Sequence, residues 1–180
     1  MSSDVEAKQA ITDVIYRYCR ALDRRDRELA DTVWHPDGTA DFGVTYSGPA
    51  SGLLDQFWDN HAKLLGHSHQ VTNILVEVDG DRAGSESYAI GTLWDLPESR
   101  VLTSMVTFGR YFDRWSRRDG VWAIDHRRFV YDVVFLTPPD AGGLLGRLTA
   151  ERDPRQTAGR HDRTDPSYEV LSHAALGLAR

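Results

Sequence analysis

Between residues 67 and 135 apolar and polar side chains alternate with a period of two, and tight-turn sequences at Asp79-Gly80 and Arg118-Asp119-Gly120 interrupt the alternation. The strands read from this pattern run from about 67 to 78, Arg82 to Trp94, Val101 to Trp115 and Val121 to Phe135. Strands joined by such hairpins are antiparallel. The region before them is helical. Ile11, Val14, Ile15, Tyr18 and Leu22 recur at helical spacing, with Ser3 and Glu6 as a capping box at the start. A short second helix is expected from about Asp26 to Trp34, ended by a turn at His35-Pro36-Asp37-Gly38. A short strand pair follows over Thr39–Tyr46, and Gly48-Pro49 opens a helix carrying Leu53, Leu54, Phe57, Trp58, Leu64 and Leu65. Helices first and long hairpin strands afterwards make an α+β fold, with the helices on one face of a curved sheet.

The chain of 180 residues suits one domain. After Thr137-Pro138-Pro139 periodicity fades, and only Tyr168 to Leu178 looks helical again. We therefore assign residues 1–136 to the domain and 137–180 to an extension that wraps it or a partner subunit. A net charge of −6 argues against a general nucleic-acid binder, which needs a basic face. The single cysteine, Cys19, excludes an intramolecular disulfide and reads as a small core residue. The first ten residues lack an apolar signal region, and no run approaches a membrane span. The expectation is a soluble, cytoplasmic protein with no membrane or nucleic-acid partner.

Polar groups on faces that should be apolar are the candidates for chemistry. Asp23 extends the buried stripe of the first helix. His67 and His69 share one strand face with Val71, Asn73 and Leu75, while Thr72, Ile74, Val76 and Val78 share the other. In the last strand Arg127 shares a face with Phe129 and Tyr131. A carboxylate beside a buried histidine fixes the imidazole tautomer and supports it as a base. Asp23 is equally suited to cap the second helix. His67 and His69 have the spacing of metal ligands, but no third and fourth ligand stands at a recognisable spacing, so no metal is assigned. His61, His126, His161 and His173 read as surface or helix-face residues with no role.

The segments AITDVIYRYCRALDRRD, VWHPDGTADFG, HSHQVTNILVEVDGDRA and GRYFDRWSRRDGVWAIDHRR together resemble the SnoaL-like branch of the nuclear-transport-factor-2-like (NTF2-like) superfamily, over roughly residues 5–135. The resemblance implies a cone-shaped barrel: a strongly bent mixed or antiparallel sheet around the N-terminal helices, enclosing an apolar cavity. The lyases of that branch (scytalone dehydratase, hexachlorocyclohexane dehydrochlorinase and bile-acid 7α-dehydratase) use a His–Asp dyad in the cavity. Ala21-Leu22-Asp23 matches the motif of the dyad aspartate, and His69 through Asn73 matches the H-x-x-T-N stretch that begins with the catalytic histidine. Tyr18 stands where these enzymes place a polar side chain, and Arg127 matches an arginine after the D-G-x-W turn. Where the dehydratases have a second tyrosine on the first strand, this chain has Phe42, with Tyr46 nearby.

The implied function is a cofactor-independent lyase or isomerase acting on a small hydrophobic, cyclic molecule. His69 would be the base, Asp23 would orient it, Tyr18 would hydrogen-bond a carbonyl or leaving group, and Arg127 would face a developing anion. His67, Phe42, Trp34, Tyr88 and Met105 would complete the substrate pocket. A homodimer or homotrimer is expected on the same resemblance. Non-catalytic carriers and accessory subunits share the fold, so a binding protein is the alternative.

Overall fold

The computed structural model describes residues 2–96, 102–138, 164 and 166–169. Its first element, α1 (Ser2–Arg24), exists because one face is almost wholly apolar: Ile11, Val14, Ile15, Tyr18 and Leu22 are each no more than 1% exposed. Burying each such side chain contributes roughly 1.5–3 kcal/mol, far more than helix propensity supplies. The helix already includes Ser2, so Ser3 lies inside it and the expected capping box does not form its start. It ends in a Schellman motif, where Arg25 takes a left-handed φ of 52° and donates to Leu22 O (3.0 Å) while Asp26 N donates to Ala21 O (2.9 Å). This ending fixes the direction in which Asp23 leaves the helix.

Asp26 then caps α2 (Arg27–Asp31), its side chain accepting from Leu29 N at 3.0 Å. The cap is therefore Asp26, and Asp23 is left for other work. Strand β1 (Trp34–Asp41) absorbs the His35-Pro36-Asp37-Gly38 sequence as a register irregularity between Trp34 and Thr39, where a turn was expected. After it come β2 (Ser47–Pro49), α3 (Ala50–His61), β3 (Gly66–Asp79), β4 (Arg82–Asp95), β5 (Thr103–Arg118) and β6 (Val121–Thr137).

The six strands form one sheet in the order β2-β1-β6-β5-β4-β3. The four long strands pair antiparallel through consecutive hairpins, and β1 adds parallel to β6. Bulges between Thr72 and Leu75, between Phe108 and Gly109 and between Arg114 and Trp115 are the points at which strands bend. At Gly109 a Cβ would overlap Val130 O and the Phe129 ring, so the close approach requires glycine. Helix α1 packs on both β3 and β6, elements that lie apart in the strand order, and the sheet therefore curls around it.

The bulge in β3 corrects the two-residue reading of that strand. Asn73 adopts φ 49° and adds a residue to the pleat. As a result Val71, Ile74, Val76 and Val78 all pack on the core, while Leu75 turns out to solvent. The convex face of the sheet exposes Tyr88, Phe108, Val133 and Phe135. Of the extension expected over 137–180, Thr137 ends β6, and most of the rest, with all but the first two residues of its helix from Tyr168, lies outside the described residues; a single turn at Pro166–Glu169 is described, and its Glu169 pairs with Arg128 at 2.8 Å.

Candidate active site

The end of α1 meets the start of β3 through a carboxylate. Asp23 Oδ1 lies 2.7 Å from His69 Nδ1, and Asp23 Oδ2 accepts the backbone N–H of His69 at 3.1 Å. Both side chains are largely buried, with 16% and 12% of their surface exposed. Since a carboxylate only accepts, Nδ1 carries a proton, and in the neutral ring the lone pair therefore stands on Nε2. Burial alone would raise the Asp23 carboxyl, but the two hydrogen bonds from His69 outweigh it and hold the group below its ordinary value. Two residues earlier on the same strand, His67 Nε2 donates to Leu22 O at 2.9 Å. The strand is thus tied to the helix at the dyad and again two residues before it.

The His69 ring forms part of the wall of a cavity of about 120 Å³ bounded by α3, β3, β4, β5, β6 and the turn after β1. This is many times the roughly 10–15 Å³ that one water needs. Apolar side chains dominate the lining, among them Phe42, Phe57, Leu93, Met105 and Phe129. The Cδ2–Nε2 edge of His69 stands over Gly91 in that wall, 3.7 and 3.8 Å from where a Cβ would be. A base with a free Nε2 therefore faces an apolar chamber. Among the described residues that line it there is no Lys, Arg, Asp or Glu.

Of the residues expected at the site, Asp23 and His69 meet, and Phe42 and Met105 line the cavity. The others stand elsewhere. Tyr18 is fully buried against Trp34 and Tyr111, at ring separations of 6.1 and 5.8 Å, and does not reach the cavity. Its hydroxyl has no hydrogen-bond partner of good geometry among the described residues, and burial pushes its pKa well above the usual phenol range. Arg127 is also fully buried. Its Nε and Nη2 donate to Asp113 at 2.7 and 2.8 Å, and its guanidinium sits 4.2 Å from the Tyr18 ring and 4.0 Å from the Tyr111 ring. Its charge is neutralised behind the cavity wall, so it is core structure and does not face a developing anion.

His67 is likewise no lining residue. It stacks behind His61 at 4.1 Å and spends its Nε2 proton on Leu22. Trp34 belongs to the core beneath Tyr18, and Tyr88 points out of the convex face beside Arg110. Tyr46, the neighbour of Phe42 in the comparison with dehydratases, donates its hydroxyl to Pro49 O at 2.6 Å. Cys19 is buried, and burial pushes its thiol up to about 12.

Sequence reasoning missed His61. It is 6% exposed, lines the cavity, and stacks between Phe57 (5.6 Å) and His67 (4.1 Å). The signal was present: His61 lies four residues beyond Phe57 and continues the apolar stripe Leu53, Leu54, Phe57. Among the described residues no group of three or more His, Cys, Asp or Glu side chains is placed to hold a metal, and no helix is long and apolar enough to cross a membrane.

Solved structures with the same fold agree on the architecture. A putative scytalone dehydratase from Novosphingobium aromaticivorans DSM 12444 superposes with a TM-score of 0.69 at 17% identity, covering 90% of this chain and 100% of that one. A type 2 hexachlorocyclohexane dehydrochlorinase gives 0.62 at 20% identity, with coverage of 84% and 96%. A protein of unknown function from Mycobacterium tuberculosis gives 0.62 at 26% identity, with coverage of 78% and 80%. No curated protein matches the sequence. The profile of the SnoaL-like domain matches residues 3–128, which run from α1 into the first half of β6 and include both members of the dyad, and the chain belongs to that family.

Proposed function

We propose that this protein is a lyase acting on a small hydrophobic, cyclic molecule, with His69 as general base. The observation that carries this reading is the 2.7 Å contact between Asp23 Oδ1 and His69 Nδ1, made by a ring whose other edge enters an apolar cavity. Nε2 takes a proton from a carbon next to an activating group. Asp23 holds the tautomer and balances the imidazolium that forms. The imidazolium then returns the proton to a departing hydroxyl, so that elimination of water leaves the base as it began. Double-bond isomerisation would use the same base and return the proton to carbon. A positioned base contributes about 10²–10⁴-fold, and the cavity adds orientation and exclusion of water. The dehydratase and dehydrochlorinase among the structural neighbours support elimination as the reaction class.

One observation favours a binding protein instead. Asp23 accepts the backbone N–H of His69 as well as its ring, and such a clasp pins α1 to β3 whether or not any chemistry follows. Turnover separates the two readings. Neutral cyclic alcohols with an acidic C–H beside the carbinol are incubated with the protein, and loss of one water is followed by mass spectrometry. The lyase reading expects product with the wild type and none above background with His69→Ala. Binding of these alcohols without product, equal in both proteins, would establish the carrier.

A further inference from the structure

We propose that His61 is a second catalytic residue of this cavity, a neutral hydrogen-bond donor to a carbonyl oxygen of the substrate, and that the substrate is accordingly an uncharged cyclic ketone. The inference builds on the reading of His69 as base and names the group that would make the neighbouring C–H acidic.

Placement comes first. His61 occupies the last turn of α3 and lines the same cavity as His69, with ring centroids 5.9 Å apart. Its plane is fixed on both sides, by Phe57 at an interplanar angle of 9° and by His67 at 30°. A ring clamped in this way presents its free nitrogen in one direction and loses little freedom on engaging a ligand.

Protonation follows from burial. Removal from water, and behind it the charges that His67 and His69 would add, push the His61 imidazole down to about 3. The ring is therefore neutral at physiological pH, with one N–H and one lone pair. Its Nδ1 is sealed in the interior with no partner among the described residues. An unpaired acceptor is tolerated indoors better than an unpaired N–H, so Nδ1 keeps the lone pair and Nε2 carries the proton. Nε2 is the nitrogen left to serve the cavity.

The two histidines are thus in opposite states: His69 offers a lone pair at Nε2 and His61 offers a proton. Such a pair suits a carbonyl and the carbon beside it. His69 Nε2 takes the proton from that carbon, the electron pair of the C–H bond moves into the enolate, and the oxygen gains charge where the His61 N–H donates. If a hydroxyl stands one carbon further on, the C–O bond breaks as the new double bond forms. The proton on His69 then leaves with the oxygen as water, and His61 keeps its own proton throughout.

The rest of the lining sets the charge of the substrate. With no Lys, Arg, Asp or Glu among the described lining residues and Arg127 locked to Asp113 behind the wall, nothing in the chamber compensates a carboxylate or phosphate. Burying such a group unpaired would be strongly unfavourable.

The test uses three probes of similar shape: 2-tetralone labelled with carbon-13 at the carbonyl, naphthalene, and 2-naphthoate. Isotope-edited difference infrared spectra report hydrogen bonding to the bound carbonyl, and titration gives affinities. The proposal expects the carbonyl band of bound 2-tetralone to move to lower frequency in the wild type and to return in His61→Phe. Ketone affinity should fall roughly 2–10-fold in that variant, the worth of one neutral hydrogen bond, while naphthalene affinity stays unchanged. His61→Gln, which keeps an N–H at a similar reach, should retain the shifted band, and it serves if His61→Phe does not fold. His69→Ala should also retain it. The proposal is overturned by an unshifted band in the wild type, by a shift that survives in His61→Phe, by failure of 2-tetralone to bind more tightly than naphthalene, or by 2-naphthoate binding as well as the ketone. A shifted band in a protein that never exchanges the neighbouring protons would leave His61 as donor and remove His69 as base.

Discussion

Asp23 grips His69 at two points, the ring Nδ1 at 2.7 Å and the backbone N–H at 3.1 Å, so one carboxylate at the end of a helix fixes both the strand and the tautomer of the side chain it carries.

This grip predicts a spectroscopic state that needs no substrate. In nitrogen-15 correlation spectra the neutral form of His69 should show a protonated Nδ1 and an unprotonated Nε2. Asp23→Asn should disturb that pattern, because an amide can present a donor where the carboxylate presents only acceptors. A neutral ring protonated at Nε2 and bare at Nδ1 would contradict the geometry.

The pair of Arg127 and Asp113 predicts a stability effect well apart from the dyad. Both side chains are fully buried, on residues directly opposite in the β5–β6 ladder. Removing one partner strands a charge, and Asp113→Ala should cost about 3–5 kcal/mol in urea unfolding. Adding Arg127→Met to it should recover much of that loss. If Asp113→Ala unfolds like the wild type, the pair does not sustain the core.

Two glycines predict opposite outcomes for the same added methyl. Gly109→Ala forces a Cβ into Val130 O and the Phe129 ring, and should destabilise by about 1–3 kcal/mol, the usual range for overpacking. Gly91→Ala brings a Cβ to 3.7 Å from His69 Cδ2, an ordinary contact, and should melt close to the wild type while narrowing the cavity. Equal melting temperatures for the two variants would refute the packing argument.

His61 predicts how stability depends on pH. Its folded value of about 3 lies below the ordinary 6.5, so between those values the unfolded chain takes up a proton that the folded chain refuses. Stability should therefore fall as pH drops from 6.5 towards 3, by up to about 1.4 kcal/mol per pH unit from this group. Urea unfolding at pH 7, 6 and 5 should give a shallower decline for His61→Phe than for the wild type. Identical declines would show that His61 protonates as freely in the folded protein as outside it.

Much of this architecture is written in local patterns. The apolar stripe of α1 and the Asp-Gly turns suffice to place helices before a hairpin sheet, and a carboxylate at the end of a buried stripe marks Asp23. What is missed depends on events away from the local pattern. The left-handed Asn73 inserts a bulge that puts Leu75 on the opposite face from the two-residue count. Arg127 reads as an inward cation, but its neutralisation by Asp113 depends on a neighbouring strand and on burial that one strand's pattern does not show. His61 continues an apolar stripe, yet its value as a site residue depends on the cavity that β3 to β6 close above it.

The central claim is that His69 Nε2 removes a proton from carbon. The most direct measurement is exchange of the protons beside the carbonyl of 2-tetralone for deuterium in heavy water, followed by proton NMR, because it reads base catalysis without the physiological substrate. The wild type should exchange faster than buffer alone. In His69→Ala the catalysed part should fall by about 10²–10⁴-fold, close to the buffer rate, with Asp23→Asn in between because it misorients the base without removing it. Exchange at the wild-type rate in His69→Ala, or a wild type no faster than buffer while the ketone is bound, would contradict the account.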